Sequence, residues 1–581
     1  MPIEQLPIFC FFDKQRFQQF GSQDCANWYG IAVSTGKLAQ ALYPAMGRAH
    51  ISFLEQNRLI FTEEPRFIFK TISFFYVIVG TRILQYDSFY NEKFIGEVAL
   101  LGEVWQSFLT VGTTVFVMLT DGTDIYIIDE STSSYTKVTD NNRPRNPRFV
   151  AAFGNRFVVS IKDSNEFHLT TINLVGGAAT CFTVNGIPLF ASASGIVGQF
   201  AVLHGQLYIF NDYSTDIWAN ISTQITVAGV TREFPWKLNT SYNFDYGIQD
   251  PLSLSVEFGR MVWLAKNQGG IVSFLVSDGQ APKDLDTQAI NVLLENSAST
   301  NQFNPFLSGN TDGFLYQYEN TIFYRVVAGQ FMDFGDLDIE ESQNALEYNF
   351  ETNTWARLIE INGERNRIQK HVYFNNKHLV TVQQDFAIYQ MAGNIYTNQL
   401  LNPNRVNDQA VDAFITYPFR YELITKQLFL QDYAEFKDEY VEIDFVFGDK
   451  TFYRSDAPFD NTVFIIDEHL SVPGGNIIYL VTEDGSFIIE EGTNTPTLND
   501  THYNFLYKPH IELYYSDDGS VTFVTADVRE FSQLGQYRWR MRWYELDISR
   551  NRCYKLVCVS PSPIVILGAV RNTKRVSGGA N

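Results

Sequence analysis

The segment TVFVMLTDGTDIYIIDEST, residues 114–132, contains two apolar runs that an Asp-Gly pair joins and a polar turn follows. Asp121 and Gly122 suit a tight hairpin turn, because Asp and Gly tolerate the positive φ that such turns require. β-Branched and aromatic residues, which favour pleated strands, make up most of both runs. The segment therefore predicts a β-hairpin, and this unit decides the fold of most of the chain.

Six further segments repeat the pattern between about residue 51 and about residue 400. They are residues 74–88, 148–166, 198–215, 258–279, 314–327 and 371–389. The turn markers of the whole series are Gly80, Gly122, Gly154, Gly205, Gly259, Asn320 and Asn376. Most intervals between consecutive markers lie near the roughly 40 to 50 residues of a four-stranded propeller blade. We therefore expect an all-β fold with a β-propeller of about six blades over residues 51–400, with five or seven blades as alternatives. A string of unrelated hairpins that form sandwiches is the alternative.

Beyond about residue 400 the strands become longer and the repeat stops. Residues 413–425, 439–448 and 510–524 are long runs rich in aromatic and β-branched residues. Such runs predict a second, β-sandwich-like domain over residues 401–570.

Three other segments stand apart from these two domains. Residues 450–504 contain their own hairpin signal, because Asp484-Gly485 joins two alternating runs, and they predict an inserted hairpin subdomain. Residues 1–50 are expected to form an N-terminal segment that contributes to platform or ring contacts. The small, polar residues 571–581 predict a disordered tail.

The overall charge limits the function classes. The 581 residues include 65 Asp and Glu against 43 Lys and Arg, which gives a formal net charge of -22. This balance disfavours a protein that grips nucleic acid through its overall charge. If DNA contacts this protein, we expect the contact to be repulsive or slippery.

The cysteines and the hydropathy of the chain indicate in which cellular compartment the protein is assembled. The five cysteines are Cys10, Cys25, Cys181, Cys553 and Cys558. An odd, scattered set predicts buried free thiols rather than a disulfide framework, in a protein assembled in a reducing cytoplasm. No signal peptide is predicted, because the N-terminus lacks a basic region. No membrane span is predicted either, because Lys70 interrupts the most apolar stretch, which is too short to cross a bilayer.

The sharpest short motif is SDDGSVTF, which contains Ser516, Asp518, Gly519, Thr522 and Phe523. It resembles the Asp-box, S-x-D-x-G-x-T-[W/F], of sialidase propellers. A short Asp side chain caps backbone amides in such a hairpin, so the motif stabilises a turn and performs no chemistry. Sialidases repeat the motif and add an arginine triad, a tyrosine nucleophile and acidic residues, whereas here it occurs once, outside the repeats. We interpret it as a structural turn, with a propeller glycan hydrolase as the alternative.

Arginines alternate with large apolar residues in the run QYRWRMRW. Period two places Arg538, Arg540 and Arg542 on one face of a strand and the apolar residues on the other. The apolar face is expected to pack in a core. The arginines are expected either to form a basic interface stripe toward DNA or an acidic neighbour, or to pair with acidic residues of the same sheet.

An acidic stretch contains Asp333, Asp336, Asp338, Glu340 and Glu341. Clustered oxygen ligands can hold a divalent cation, but the spacing is not that of a calcium loop. A solvated loop or an acidic channel rim is the preferred interpretation, and no metal or other cofactor is predicted. The sequence also lacks GxxxxGK[ST], GxSxG, HExxH and CxxC, so we predict a protein without enzymatic activity.

Both ends of the chain resemble one family. The N-terminal matches are MPIEQLP at residues 1–7, Asn27-Trp28-Tyr29, Gly36-Lys37, Tyr43-Pro44 and Gly47. The C-terminal matches are SDDG at residues 516–519, Gly535-Gln536-Tyr537-Arg538, Trp543, Arg550-Asn551-Arg552, Tyr554-Lys555-Leu556, Ser560-Pro561 and residues 566–569. The family is that of the phage packaged DNA stabilization proteins, the tail hub or nozzle of P22-like podophages. The chain departs from it at Leu546-Asp547-Ile548, where the family usually has Leu-Gly, and in the extra residues 450–504.

The resemblance implies a structural role in the virion tail. Members of this family are similar in forming a hexameric ring below the portal and adaptor rings, and they carry tail fibres or tailspikes and a terminal plug or needle. The chain would accordingly be one copy in a ring through which DNA passes without sequence-specific binding, assembled in the host cytoplasm. Two other function classes stay open, the glycan hydrolase and a receptor-binding tail fibre component, which predicts elongated trimers.

Overall fold

The structure is a computed structural model. It describes residues 3–6, 23–32, 40–51, 59–100, 102–184, 187–227, 230–240, 242–295, 311–328, 345–401, 414–430, 434–447, 463–465, 471–472, 475–476, 479–481, 510–530, 538–544, 546–560 and 563–576. The described part is nearly all β, and it consists of a β-propeller and a β-sandwich. The predicted fold class is therefore confirmed.

Antiparallel four-stranded sheets follow one another along the propeller, each forming one blade. Blade 1 comprises Pro65–Lys70, Phe75–Val79, Arg82–Tyr86 and Glu92–Glu97. Blade 2 comprises Trp105–Val111, Thr114–Thr120, Ile125–Asp129 and Ser134–Lys137. Blade 3 comprises Pro147–Phe153, Arg156–Ile161, Glu166–Leu169 and Ile187–Ser192, with Thr183–Val184 added at its edge. Blade 4 comprises Val197–Leu203, Gln206–Asn211, Thr215–Ala219 and Lys237–Leu238, with the hairpin Thr223–Val227 and Val230–Phe234 before its last strand.

Three more blades complete the ring. Blade 5 has an inner strand in two pieces, Tyr246–Ile248 and Ser255–Glu257, followed by Arg260–Asn267, Val272–Ser277 and Lys283–Asp284. Blade 6 comprises Thr311–Tyr318, Thr321–Ala328, Ala345–Asn349 and Thr354–Arg357. Blade 7 comprises Ile368–Phe374, Lys377–Val382, Ile388–Ala392 and Gly47–His50. Among the described residues the helices are Gly177–Thr180 and Gln288–Glu295, with short 3-10 turns at Ile172–Leu174 and Pro251–Ser253.

The described residues thus form seven blades, one more than the six that were the central expectation. Every predicted turn marker lies at a hairpin turn and has a positive φ. Gly80 and Gly122 lie between the second and third strands of their blades, whereas the other five lie between the first and second. This change of position shortens the interval from Gly122 to Gly154, which explains the uneven spacing of the markers in the sequence.

The ring is closed by an apolar core between its last and first blades. Phe75 and Tyr90 of blade 1 pack against Phe374 of blade 7, and the rings of Phe75 and Phe374 lie 5.3 Å apart. Aromatic pairs at such distances add to the stabilisation that burial alone provides. Similar apolar clusters fill the other junctions between neighbouring blades.

The outer strand of blade 7 comes from the other end of the propeller sequence. Gly47–His50 pairs antiparallel with Ile388–Ala392, and Arg48 lies opposite Met391. The predicted boundary at residue 51 is therefore wrong, because the ring needs residues 47–50 to complete its last sheet. Arg48 is wholly buried there and its guanidinium forms an ion pair of 2.7 Å with Glu360.

The sandwich comprises two packed sheets. Sheet I comprises Ile3–Gln5, Trp28–Ala32, Gln40–Pro44, Phe436–Phe447, Arg538–Tyr544, Ile548–Ser549 and Ile564–Arg575. Sheet II comprises Asp24–Ala26, Thr397–Leu401, Phe414–Ile424, His510–Ser516, Val524–Glu530 and Cys553–Ser560. Trp28, Tyr421 and Trp543 lie in the apolar core between the sheets, where the rings of Trp28 and Tyr421 stack at 5.0 Å.

Two predicted boundaries change because both chain ends enter sheet I. Residues 1–50 do not form a separate segment, since their described strands belong to the sandwich and to blade 7. The tail predicted from residue 571 is wrong up to Arg575, which ends the strand Ile564–Arg575. Arg571 is buried and pairs with Glu4 at 2.8 Å, so this part of the C-terminus is held by the N-terminus.

The described part of the predicted insertion contains paired strands. Val463–Ile465 pairs with Tyr479–Val481, and Ser471–Val472 pairs with Gly475–Asn476. The predicted turn at Asp484-Gly485 lies outside the described residues.

One continuous sheet joins the sandwich to the propeller. Asp24–Ala26 of sheet II contacts the outer strand of blade 6 through the pair Ala26 and Arg357. Thr397–Leu401 contacts the outer strand of blade 7 through the pair Asn398 and Arg48. Sheet II thereby extends the outer edges of blades 6 and 7.

Cysteine states differ from the prediction at one position. Cys25 is disulfide-bonded, so the prediction of free thiols is wrong there. Cys181, Cys553 and Cys558 have free, buried thiols. Burial raises the pKa of the Cys181 thiol to about 12.

Two histidines face each other inside blade 7. The Nε2 atom of His371 lies 2.9 Å from Nδ1 of His378, and the Phe314 ring of blade 6 stacks on His371 at 4.8 Å. Burial, followed by the charges of Arg325 and Lys70, lowers the pKa of His378 to about 4, and burial also lowers the pKa of His371. Both rings are therefore uncharged at neutral pH.

We expect the free energy of unfolding to fall as the pH is lowered from about 6.5 to about 4. In this window the unfolded chain binds protons at His371 and His378 that the folded chain does not bind, and the share of His378 in the loss should be on the order of 2 kcal/mol. Urea unfolding of the wild type and of His378→Gln, followed across this pH range, checks the prediction. An equally steep pH dependence in the variant would contradict it.

Candidate functional site

Two features that the sequence singled out, the Asp-box-like turn and the arginine run, lie at the end of the sandwich away from the propeller. In sheet I, Trp28–Ala32 is one edge and lies beside blade 6, where Asn349 Nδ2 donates to the Gly30 carbonyl at 3.0 Å. Arg538–Tyr544 is the opposite edge among the described strands. The site is therefore built on the part of the sandwich that lies farthest from its own propeller.

The Asp-box-like turn connects two strands of sheet II. Asp518 accepts hydrogen bonds from the Ser516 hydroxyl at 2.6 Å, from the Thr522 amide at 2.9 Å and from the Val521 amide at 3.1 Å. The Ser516 and Thr522 hydroxyls, together with the Thr522 amide, hold the pKa of the Asp518 carboxyl well below its usual range. These contacts fix a turn and leave the carboxylate ionised.

The turn departs from the Asp-box at one position. Gly519 has a φ of 80°, and Ser520, which stands where the Asp-box has Gly, also has a positive φ, 71°. Ser520 adopts this conformation while its amide donates to the Ser516 hydroxyl at 3.0 Å. Phe523 lies below Lys555, whose Nζ atom is 5.8 Å from the ring centre.

We expect Asp518→Ala to lower the free energy of unfolding by about 1 kcal/mol, since an exposed turn loses several hydrogen bonds that water partly replaces. The loss should shrink as the pH falls below about 4, because the unfolded wild type then binds a proton at Asp518 that the folded chain, whose Asp518 pKa is lowered, does not bind. Thermal unfolding measures the effect. Asp527→Ala, which removes a nearby exposed partner of Arg529, is the control and should change stability by less than about 0.5 kcal/mol. Equal losses of unfolding free energy for the two substitutions would show that the hydrogen bonds of Asp518 stabilise the chain no more than an ordinary exposed ion pair does.

Arg538, Arg540 and Arg542, here called the arginine stripe, point away from the core, while Met541 and Trp543 between them are buried. This alternation follows the predicted period of two. The stripe lies over two carboxylates of the neighbouring strand Phe436–Phe447. Those carboxylates were not singled out in the sequence, although Glu442 and Asp444 alternate there in the same way.

The carboxylates of Asp444 and Glu442 lie on the same face of sheet I as the arginines and pair with them. Arg538 donates to Asp444, with Nε at 3.0 Å from Oδ1, and Arg542 donates to Glu442. Arg540 lies farther away, at 3.7 Å from Asp444 and 3.9 Å from Glu442. Hydrogen bonds to Asp444 raise the pKa of Arg538, and hydrogen bonds to Glu442 raise the pKa of Arg542.

A shallow groove of about 330 Å³ lies beside the turn. Its walls are Glu435, Asp517, Ile548, Ser549, Arg550 and Asn551. Each of its carboxylates faces an arginine: Glu435 lies 3.1 Å from Arg550, and Asp517 lies 2.8 Å from the buried Arg552. The arrangement holds charges in fixed pairs and does not place an acid and a base to exchange a proton with a ligand.

The predicted acidic rim falls on a segment between two strands of blade 6. Asp333, Asp336, Asp338, Glu340 and Glu341 lie outside the described residues. Within the described ranges, no three His, Cys, Asp or Glu side chains lie together as metal ligands. In the described part of the chain, no helix is long and apolar enough to cross a membrane.

Comparisons with known proteins reveal similarity of fold alone. No protein-family model matches the chain, and no curated protein matches it. The WD40 domain of Neurospora crassa Pan2 is similar at 9% identity and a TM-score of 0.34, covering 63% of this chain and 97% of that one. The computationally designed Ika8 protein is similar at 10% identity and a TM-score of 0.34, with coverage of 66% and 99%. The N-terminal domain of Nup159 is similar at 11% identity and a TM-score of 0.32, with coverage of 60% and 94%.

Proposed function

We propose that the chain is a structural subunit of a short phage tail, a tail hub or nozzle protein. One observation carries the proposal: the two segments that resemble this family lie at opposite ends of the sequence, yet they pair within one sandwich. Trp28 Nε1 donates to the Ile564 carbonyl at 2.8 Å, and Leu42 pairs with Ile566. Apart from Gly47, which belongs to blade 7, the described residues of both segments therefore lie in a single domain, as they would if that domain served the same purpose in the family.

In this role six copies would form a ring that extends the DNA channel below the portal and adaptor rings. The ring would retain packaged DNA, carry tail fibres or tailspikes, hold a plug or needle at its tip and transmit ejection. The net charge of -22 supports the role, because an acidic or neutral wall repels phosphate and lets the duplex slide. An arginine-lined lumen would slow the duplex and would argue against it.

Fixed ion pairs support a mechanical rather than an enzymatic role. Asp518 is bound by hydroxyls and amides, and the groove carboxylates are bound by arginines. Most glycan hydrolases use a carboxylic acid that keeps its proton beside a second carboxylate. Incubation with host surface polysaccharide is expected to release no sugar, whereas sugar release would favour the hydrolase.

Native mass spectrometry of the purified full-length chain tests the assembly. We expect a species of six times 66.5 kDa that coexists with monomer at low concentration. A stable trimer would favour the receptor-binding fibre component. A chain that stays monomeric at every concentration, with portal and adaptor proteins present, would contradict the hub.

A further inference from the structure

Lys370 and Asp312 meet between two neighbouring blades of the propeller. Lys370 lies on the first strand of blade 7 and Asp312 on the first strand of blade 6, and the Lys370 ammonium contacts the Asp312 carboxylate directly. The two side chains are only 14% and 5% exposed. A bulge between Ile368 and His371 interrupts the pairing of the Lys370 strand within blade 7, and bulges of this kind re-aim side chains. A nitrogen nucleophile is therefore held against a carboxyl group in a site that admits little water.

A second carboxyl group lies beside this pair. Asp250 is buried, and its carboxylate accepts from the amide of Thr311, the residue before Asp312, at 2.6 Å and from the Leu252 amide at 3.0 Å. Burial raises the pKa of Asp250 to about 6, and the charge of Asp312 acts in the same direction. A carboxyl group with this pKa can both accept and donate a proton near neutral pH.

A fixed positive charge also acts on Asp312. Arg365 is buried, interacts electrostatically with Asp312, and donates through its guanidinium to the Ala328 carbonyl at 3.1 Å. A cation held in this way stabilises the negative oxygen that develops when an amine attacks a carboxyl group. The seam between blades 6 and 7 thus brings together a nucleophile, a carboxyl group for it to attack, a proton carrier and a cation.

We propose that the Lys370 side chain condenses with the Asp312 carboxyl group to form an isopeptide bond between blades 6 and 7. The Lys370 nitrogen forms a bond to Cγ of Asp312, and the bond from Cγ to one carboxylate oxygen breaks. The ammonium gives up two protons, and both leave with that oxygen as one water molecule, so the step needs no oxidant or co-reactant. Asp250 carries a proton from the nitrogen to the departing oxygen.

Burial favours the amide over the ion pair. Two opposite charges cost free energy when they are removed from water, whereas the amide carries no net charge. Groups that the fold holds in contact also react with effective molarities far above any concentration in solution. The bond would tie the last two blades together covalently, whether or not the chain serves in a phage tail.

Mass spectrometry of the purified full-length chain tests the bond. After unfolding and reduction, the wild type is expected to be lighter than its sequence by one water molecule, and a protease digest should contain a branched peptide that joins Lys370 to Asp312. Lys370→Arg keeps the positive charge but has no amine to condense, so it should have the full mass, as should Asp312→Ala. Lys137→Arg is the matched control, because Lys137 forms an exposed pair with Asp124 at 2.6 Å, and this variant should still lose the water.

The rate of bond formation in freshly synthesised chain tests the role of Asp250. Asp250→Asn keeps a carbonyl oxygen for a backbone amide but cannot carry the proton, so the branched product should form at least about 10-fold more slowly. Asp250→Glu retains a carboxyl group and should form the product faster than Asp250→Asn does. An unchanged rate in Asp250→Asn would contradict the role of Asp250 as the proton carrier.

Three results would overturn the bond itself. A wild-type chain with its full mass would show that Lys370 and Asp312 form an ordinary ion pair. A loss of water found in a linear peptide would show a succinimide at Asp312-Gly313 instead of a link to Lys370. A loss of water that persists in Lys370→Arg would exclude Lys370 as the nucleophile. The wild-type mass and peptide map decide the question even if a substitution prevents folding.

Discussion

Arg48→Met is expected to lower the free energy of unfolding by about 3–5 kcal/mol, the loss typical when one partner of a buried ion pair is removed. Arg48 is wholly buried and donates to Glu360 at 2.7 Å and 3.2 Å and to the Gln399 carbonyl at 3.0 Å. Methionine fills much of the volume but leaves the Glu360 carboxylate without its countercharge. Denaturant unfolding followed by tyrosine and tryptophan fluorescence measures the loss.

The position of Arg48 predicts where the damage occurs. Its strand, Gly47–His50, closes blade 7, so hydrogen exchange should accelerate first in the paired strand Ile388–Ala392. Arg82→Met is the control, because Arg82 is 53% exposed and lies 4.0 Å from Glu92, and such a pair contributes at most about 1 kcal/mol. A loss below about 1 kcal/mol for Arg48→Met would refute the role of this ion pair in closing the ring.

Glu347→Ala is expected to destabilise the chain by a similar amount, about 3–5 kcal/mol. Glu347 accepts from Arg325 at 2.7 Å and 2.9 Å and from the Tyr316 hydroxyl at 2.6 Å, and all three side chains are buried inside blade 6. Removal of the carboxylate leaves the Arg325 guanidinium and the Tyr316 hydroxyl without this acceptor in the buried interior of the blade. Thermal unfolding and chemical unfolding both report the loss.

A double variant separates charge from packing. Arg325→Met combined with Glu347→Leu removes both charges and keeps the volume filled, so it should be less destabilised than Glu347→Ala alone. If the double variant loses more than the single one, packing around Tyr316 rather than the uncompensated charge explains the effect.

The propeller could be predicted from the sequence because its signals are local. The turn at Gly122, for example, depends on residues within one hairpin, and every marker has the positive φ that its residue type indicates. The seventh blade was harder to count because its outer strand is Gly47–His50. Four residues with weak strand character pair with Ile388–Ala392, and no local pattern encodes a pairing across so many residues.

The candidate site was predicted only in part for the same reason. The alternation of Arg538, Arg540 and Arg542 is local and appears in the structure as an exposed row. Their partners Glu442 and Asp444 lie on a strand about a hundred residues earlier, and the register that brings them together arises from the sheet. The disulfide state of Cys25 was likewise missed, since composition alone indicated free thiols.

Electron cryomicroscopy of virions that contain this chain tests the central claim most directly. The proposal predicts a six-fold ring between the portal complex and the tail tip, with one propeller and one sandwich in each of six copies and an acidic or neutral channel wide enough for duplex DNA. Density for the propeller and sandwich in elongated trimers at the fibre positions, or no such density below the portal, would contradict it.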